Sequence, residues 1–375
     1  TFTIHRLLRP VPKTPYFIHN RENRLSADVI VVDEASMVDL PLMSKLIQAI
    51  PEDARLIILG DKDQLSSVEP GSVLGDICAG STGFPSDILR YFYEIIGGES
   101  INSIKDVDND NPRKSPMDNC IVELKESYRF SEMSGIAKLS SAVNKGDIEG
   151  VSGILGEDIY PDIRFKKLPK PALFKNWLRE VVIKGYKAYL KTKDPLMAIK
   201  AFDSFRILCP IRWGPYGVRQ INRLIEVILQ EQGLISLNGP WYTGRPILIT
   251  ENSYELGLFN GDVGIIMPDP ELNGEVRAFF MAQDREIRKF LPIRLPEHET
   301  VFAMTVHKSQ GSEFDNVLFI LPDTYVPVIT RELIYTAITR AKNFIEIWGH
   351  MDIIERGIKQ KIRRSSGLRD ALWNV

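Results

Sequence analysis

The stretch Ala27-Asp28-Val29-Ile30-Val31-Val32-Asp33-Glu34-Ala35-Ser36 sets the fold class. Its apolar, β-branched run from Ala27 to Val32 is too short for an ordinary helix and reads as a buried parallel strand ending in two carboxylates. Leu56 to Leu59 repeats the pattern and ends in Gly60-Asp61. Between them Asp39 is placed to cap a helix with Pro41 in its first turn, and Leu42, Met43, Leu46, Ile47 and Ile50 recur at helical spacing. The result is a β-α-β unit, and in open α/β sheets ligands bind at the carboxyl ends of the strands. Asp33 and Glu34 stand at such an end.

Working outward, a small hairpin is expected near the N-terminus, with Pro15 to His19 and Arg24 to Ser26 flanking Asn20-Arg21-Glu22-Asn23. From Gly97 to Asn119 the chain turns polar and rich in Asn, Asp, Ser and Pro, marking a surface loop or domain boundary. A second α/β region follows, with a strand at Phe205 to Cys209. A helix starts at Val218 and carries Ile221, Leu224, Ile225, Ile228 and Leu229 on one face. From Arg245 to about Arg294 the pattern shifts to short strands, Pro246 to Thr250, Val263 to Met267 and Val276 to Met281, separated by Gly, Asn and Asp. Such spacing points to a small antiparallel barrel inserted into the second α/β domain.

Bulk properties set wider bounds. At 375 residues the chain has room for about two or three domains, and with 26% charged and 44% hydrophobic residues and a formal charge of -2 its balance is that of an ordinary globular protein. Any nucleic-acid path has to be locally basic, because overall charge neither argues for one nor excludes it. Cys78, Cys120 and Cys209 form no C-x-x-C pair, so neither a disulfide framework nor a zinc site is indicated and a reducing cytoplasm fits. No apolar run approaches the roughly 18 residues of a membrane span, and the first residues lack a basic-then-apolar signal pattern. A chain that begins at Thr1 rather than Met is expected to be a piece of a longer protein.

The chemistry concentrates in four places. At the end of the first strand Asp33 is suited to hold Mg²⁺ through its water shell and Glu34 to orient an attacking water, as phosphoryl transfer needs positioning and charge neutralisation above all. Taken alone the same pair serves equally as a helix cap. Gly60-Asp61-Lys62-Asp63-Gln64-Leu65 leaves the neighbouring strand on the same edge, where the Gln64 amide is placed to sense a terminal phosphate; in tandem with Asp33-Glu34 this otherwise ordinary turn becomes specific. Arg129, in Ser127-Tyr128-Arg129-Phe130, and Arg340, in Tyr335-Thr336-Ala337-Ile338-Thr339-Arg340-Ala341-Lys342, are candidate arginine fingers, worth about 10³ to 10⁵ in rate in other NTPases. Either one alone is more readily a surface salt bridge, by roughly three to one. Thr305-Val306-His307-Lys308-Ser309-Gln310-Gly311-Ser312-Glu313-Phe314 follows an apolar strand, and its hydroxyls, amide, Lys and Gly suit a strand-to-helix loop that holds phosphates. Three aromatics, Trp213, Tyr216 and Phe259, lie in Gly-rich turns as candidates for stacking on bases, with Phe259 the preferred one.

In this order the blocks resemble motifs II to VI of superfamily 1 helicases, over nearly the whole chain, and in wording the RecD branch of exodeoxyribonuclease V. Thr3-Ile4-His5-Arg6-Leu7-Leu8, Gly75-Asp76-Ile77-Cys78, Gly257-Leu258-Phe259-Asn260-Gly261-Asp262 and Arg294-Leu295-Pro296-Glu297-His298-Glu299-Thr300 add to the likeness. The resemblance implies two RecA-like P-loop NTPase domains, the first incomplete, with a small SH3-like β-barrel insertion. Domain 1A would cover 1–125 with a short 1B hairpin at about 9–26, domain 2A 126–238 and 300–375, and the 2B insertion 239–299. It implies a 5′-to-3′ ATP-dependent translocase on single-stranded and duplex-end DNA, working beside RecB-like and RecC-like partners in double-strand break repair, with ATP and Mg²⁺ as cofactors and no membrane. By position Asp33 would serve the metal, Glu34 would activate water, and Gln64, Arg129 and Arg340 would contact the γ-phosphate. Thr305 and His307 would lie near the DNA backbone, with Gln310 and Glu313 linking that contact to the nucleotide; Lys308, Phe259 and Asn260 complete the candidate DNA set.

One departure stands out. The G-x-x-x-x-G-K-[ST] phosphate loop is absent, and no Gly-Lys dipeptide occurs anywhere in the chain. The chain by itself is therefore expected not to hydrolyse ATP efficiently. Three alternatives compete with the subunit reading: a standalone helicase of the same branch, a non-hydrolysing DNA-binding scaffold, and a nuclease built on Asp118 with Glu123-Leu124-Lys125. The last is disfavoured because a strand at Ile121 to Leu124 turns one of those side chains into the core.

Overall fold

The computed structural model describes residues 2–66, 72–80, 91, 94–95, 117, 120–124, 129–131, 133–157, 159–282, 286–362 and 367–373. The chain divides into two compact units, Thr1–Ser127 with Arg363–Val375, and Tyr128–Ile362. The polar segment 97–119 lies almost wholly outside the described residues.

In the first unit β1 (Val29–Val32) and β2 (Arg55–Ile58) pair in parallel, with Val32 opposite Ile58. The intervening helix Leu40–Ala49 starts as expected, the Asp39 carboxylate accepting from the Leu42 amide at 2.7 Å. It buries Met43, Leu46 and Ala49 against Ile30 and Val32, with Leu8, Leu25, Val73 and Leu74 closing the core. The two strands are not buried on both faces. Val29, Val31, Ile57 and Leu59 remain 52%, 55%, 45% and 47% exposed, because no described residue covers the face opposite the helix.

Two local expectations change. The hairpin pairs Arg9–Val11 with Tyr16–Ile18 around a turn at Thr14, and the Asn20 side chain instead closes a tight turn by accepting from the amides of Glu22 and Asn23. Residues Ile121–Leu124 form no strand, since with Val122, Glu123 and Leu124 all exposed there is no ladder for them to join. Glu123 instead pairs with Lys62 at 2.6 Å, and burial raises the thiol pKa of nearby Cys78. Asp118 and Lys125 lie outside the described residues. The last helix, Leu368–Trp373, belongs to this first unit, where the Trp373 indole donates to the Asp76 carbonyl at 2.9 Å.

The second unit holds a five-stranded, wholly parallel sheet. Its members are β3 (Ile163–Lys167), β4 (Phe205–Cys209), β10 (Ala303–Thr305), β11 (Phe314–Ile320) and β12 (Ala341–Gly349), in the order β10-β4-β11-β12-β3. Every residue of β4 is buried, Arg206 included. Helices Pro171–Lys191, Val218–Glu231 and Arg331–Thr339 pack on this sheet through faces such as Ile221, Ile225, Ile228 and Leu229. The edge strand β10 is held by a side chain acting as backbone: the Asn222 amide donates to the Ala303 carbonyl at 2.9 Å and accepts from its N–H at 2.8 Å. Beside it the buried Arg206 guanidinium lies between the Phe202 and Phe314 rings and donates to the Val301 carbonyl.

The region 246–300 forms a separate antiparallel sheet of β5 (Pro246–Ile249), β6 (Val263–Pro268), β7 (Val276–Met281), β8 (Ile287–Phe290) and β9 (His298–Thr300), ordered β8-β7-β6-β5-β9. Ile247, Ile249, Leu258, Ile266, Ala278 and Phe280 make its core. Among the described residues no pairing joins β8 to β9, so the sheet is open in its hydrogen bonding where a barrel was expected.

Candidate functional site

In the first unit Asp33 is exposed just past β1, and its Oδ1 accepts from the Glu34 amide at 2.8 Å, leaving the other oxygen clear of that bond. Glu34 is half-buried and left-handed, φ 53° and ψ 40°. An L-residue there costs roughly 1–2 kcal/mol, and such strain gathers at functional sites. The next amide, Ala35 N–H, is bonded to the Leu59 carbonyl at 3.0 Å, so the two strand ends are laced together. Gly60 explains the tandem of the two motifs. A Cβ at position 60 would sit 3.0 Å from the Ala35 nitrogen and 3.3 Å from that of Ser36, so only glycine lets the second strand end pass under the carboxylate turn. Gln64 lies partly buried three residues beyond Asp61, its amide donating to Asp61 Oδ2 at 3.1 Å.

In the second unit Arg129, Glu313 and Arg340 come together at the amino ends of β11 and β12. Arg129 ion-pairs with Glu313 and donates to the Thr339 carbonyl at 3.2 Å. Arg340 is buried, donating to the carbonyls of Ser312 at 3.0 Å and Thr336 at 3.3 Å. Lys342, which the sequence reading passed over, stands 3.7 Å from Glu313. The three cations are held by backbone carbonyls and one carboxylate, a cationic cluster aimed by its own network.

Thr305 and His307 sit at the opposite end of the same sheet, where β10 stops level with Cys209 of β4. Thr305 Oγ1 accepts from the Lys308 amide at 3.3 Å and Ser309 Oγ donates to the Val306 carbonyl, so the hydroxyls shape the turn. Because Asn316 of β11 lies level with Phe205, at the start of β4, the segment 306–313 with Gln310 crosses from the carboxyl edge to the amino edge of the sheet. It is the covalent link between the Thr305 turn and the arginine cluster.

Lys308 and Asn260 share one cleft of about 480 Å³, whose walls also include Arg212, Arg219, Thr250 and Glu299. Glu299 bridges two of its cations, Oε1 to Lys308 Nζ at 2.7 Å and Oε2 to Arg212 Nη2 at 2.6 Å. Phe259 is half-buried, edge-on to Tyr254 with centroids 5.9 Å apart, and its amide is held by Asp262 at 2.7 Å. Burial raises the Asp262 pKa, partly offset by that amide. Tyr216 is buried edge-on against Phe174. Of the three candidate stacking aromatics Trp213 is the most open, at 64% exposure.

Residues 1–70 match the model of an AAA domain and residues 300–343 that of a UvrD-like helicase C-terminal domain. All of this chain aligns at 35% identity with the RecBCD enzyme subunit RecD of Haemophilus influenzae, over 59% of that protein. Its counterpart in Mycolicibacterium smegmatis is 37% identical over 99% of this chain and 59% of its own length. The chain is a RecD homologue. The ATP-dependent RecD2 DNA helicase of Deinococcus radiodurans is more distant, 26% identical over 91% of this chain and 39% of that protein. The chain thus spans about three-fifths of the RecD subunits it matches. Asp33, Glu34 and Gln64 fall within the stretch matching the AAA domain, and Thr305 through Arg340 within the one matching the helicase C-terminal domain. The RecD-like wording at Arg294–Thr300 covers Glu299, whose pairing with Arg212 across 87 positions no local pattern announces.

Proposed function

We propose that this chain carries the water-activating and arginine-bearing parts of an ATP-driven single-strand DNA translocase, the RecD-type subunit of a RecBCD-like complex in double-strand break repair. The similarity to RecD subunits over nearly the whole of this chain carries this reading. The identity of 35–37% to RecD subunits against 26% to the RecD2 helicase favours the complex subunit over the standalone enzyme.

Asp33 suits Mg²⁺. Among the described residues no three His, Cys, Asp or Glu form a cage, so a divalent ion would rest on the Asp33 carboxylate, its own waters and substrate phosphates, the coordination Mg²⁺ favours. Bound there, Mg²⁺ and ATP supply the charge-neutralised phosphoryl group. Glu34 takes the proton of the attacking water, its backbone strain fixing the direction of the carboxylate. Gln64 reports on the terminal phosphate, and Arg129 and Arg340 neutralise charge that develops in the transition state. The segment 306–313 passes changes at the arginine cluster to Thr305, His307 and Lys308 on the DNA backbone, with Asn260 across the cleft. The strands of 246–300 correspond to the SH3-like 2B insertion, and the 9–18 hairpin, too short to split a duplex, to 1B. The glycine-lysine phosphate loop has no counterpart in these 375 residues, so calorimetry on the chain alone is expected to show weak ATP binding.

The test is ssDNA-stimulated ATP hydrolysis by the full-length protein, compared with Glu34→Gln and Arg340→Ala. A fall of about 10²-fold or more in each is expected. Undiminished turnover in both sinks the assignment, and absence of turnover in the parent protein leaves a non-hydrolysing scaffold.

A further inference from the structure

Next to the cleft that holds Lys308 and Asn260 runs a second depression of about 610 Å³, lined by Phe174, Lys175, Trp213, Tyr216, Arg219 and Arg223. Arg219 lines both, so the two are one continuous surface of the second unit, along the carboxyl edge shared by β4 and β10. Trp213 projects from the loop 211–218. That loop is closed by three backbone bonds, Gly217 N–H to Gly214 O, Val218 N–H to Ile211 O and Arg219 N–H to Arg212 O, at 3.1 to 3.2 Å. Gly214 is left-handed at φ 94°, and a Cβ on Gly217 would lie 2.4 Å from the Trp213 carbonyl oxygen, so the loop tolerates no other residue at either place without refolding. A large indole is thereby held in solvent by a rigid turn, at a loss of burial worth roughly 1.5–3 kcal/mol for an aromatic of this class. The Arg219 guanidinium lies 4.1 Å from the centroid of one indole face, an arrangement that prepares the ring for a further flat partner. Among the described residues Arg219 and Arg223 have no ion-pair partner, whereas Lys175 is held by Glu231 at 2.5 Å.

We infer that Trp213, Arg219 and Arg212 form a further single-strand nucleic-acid subsite, taking one base stacked on the indole and its phosphate on the two guanidiniums. The inference rests on the DNA reading of the adjoining Lys308 cleft and extends its track past Asn260. Glu299 belongs to the same device. Its carboxylate bridges Arg212 and Lys308, and an incoming phosphate competes with it for both cations. Stacking and charge together suit a single strand, whose bases are unpaired and whose backbone is flexible, better than a duplex.

The experiment is anisotropy titration of a fluorescein-labelled oligo-dT with the 375-residue chain, at several salt concentrations. Trp213→Ala is expected to weaken binding about 5- to 150-fold, the equivalent of one stacked base, while Trp213→Phe stays within about threefold of the parent. Arg212→Ala and Arg219→Ala should each lower the slope of log affinity against log salt by about 0.7, the value for one single-strand phosphate contact. Glu299→Gln should tighten binding, since it frees two cations. Unaltered melting of each variant in circular dichroism separates these effects from misfolding. Binding by the parent chain that Trp213→Ala and Arg219→Ala leave unchanged overturns the subsite while sparing the Lys308 cleft. Failure of the parent itself to bind oligo-dT overturns the underlying DNA reading.

Discussion

At the end of β1 two carboxylates stand on an open surface, Asp33 exposed and Glu34 aimed by strained backbone, whereas at the amino ends of β11 and β12 Arg129, Glu313 and Arg340 are already tied to one another and to main-chain carbonyls. The first region positions its groups through the main chain, with Gly60 as the close-packing residue beneath. The second does so through side-chain networks in a sheet that is covered by helices. Function and stability are therefore separable in the first region and entangled in the second.

The largest expected effect breaks the comparison at the arginine cluster. Arg340→Ala takes the guanidinium donor from the Ser312 carbonyl and one of two side-chain donors from the Thr336 carbonyl, which costs about 1–3 kcal/mol of stability. A urea midpoint that moves as little as that of Glu34→Gln, expected within about 0.5 kcal/mol of the parent, would erase the distinction. Glu34→Gly sharpens it from the other side. Relief of the left-handed strain should stabilise the first unit by about 1 kcal/mol while abolishing turnover, a gain readable in thermal melting.

The smallest effect concerns the turn that presents Phe259 and Asn260. Asp262 is partly buried and its folded pKa is raised, so the folded state holds the proton more tightly than the unfolded chain does. Its contribution is thus unfavourable above the folded pKa and fades as pH falls through that pKa toward the ordinary carboxyl value of 3.8. Asp262→Asn, which keeps an acceptor for the Phe259 amide, should raise stability by less than about 1 kcal/mol at pH 7, with the gain shrinking on acidification. A gain that grows as pH falls would reverse the assigned sign.

Much of this was legible in sequence where the cause is local. Asp39 as a cap, the strand at 205–209, the face of 218–231 and the three short strands at 246, 263 and 276 each follow from a few neighbouring residues. What stayed hidden depends on partners far along the chain. No periodicity reports that Val29 and Val31 keep an open face, that Asn222 clamps β10, or that Glu299 spans Arg212 and Lys308. The hairpin at 9–18 was shifted because the Asn20 turn, a strong local signal, closes on itself instead of joining two strands. The exposure of Trp213 is hidden for the same reason: it is set by Gly214 and Gly217, whose backbone roles appear only with the loop closed.

That the strained carboxylates and the networked arginines serve a single turnover is tested most directly by a double-mutant cycle on ssDNA-stimulated ATP hydrolysis, using Glu34→Gln, Arg340→Lys and the pair in full-length protein. Groups that act as a unit are non-additive, so the pair should be nearly as active as the worse single variant. Losses that simply multiply, or turnover that either substitution leaves intact, would contradict the account.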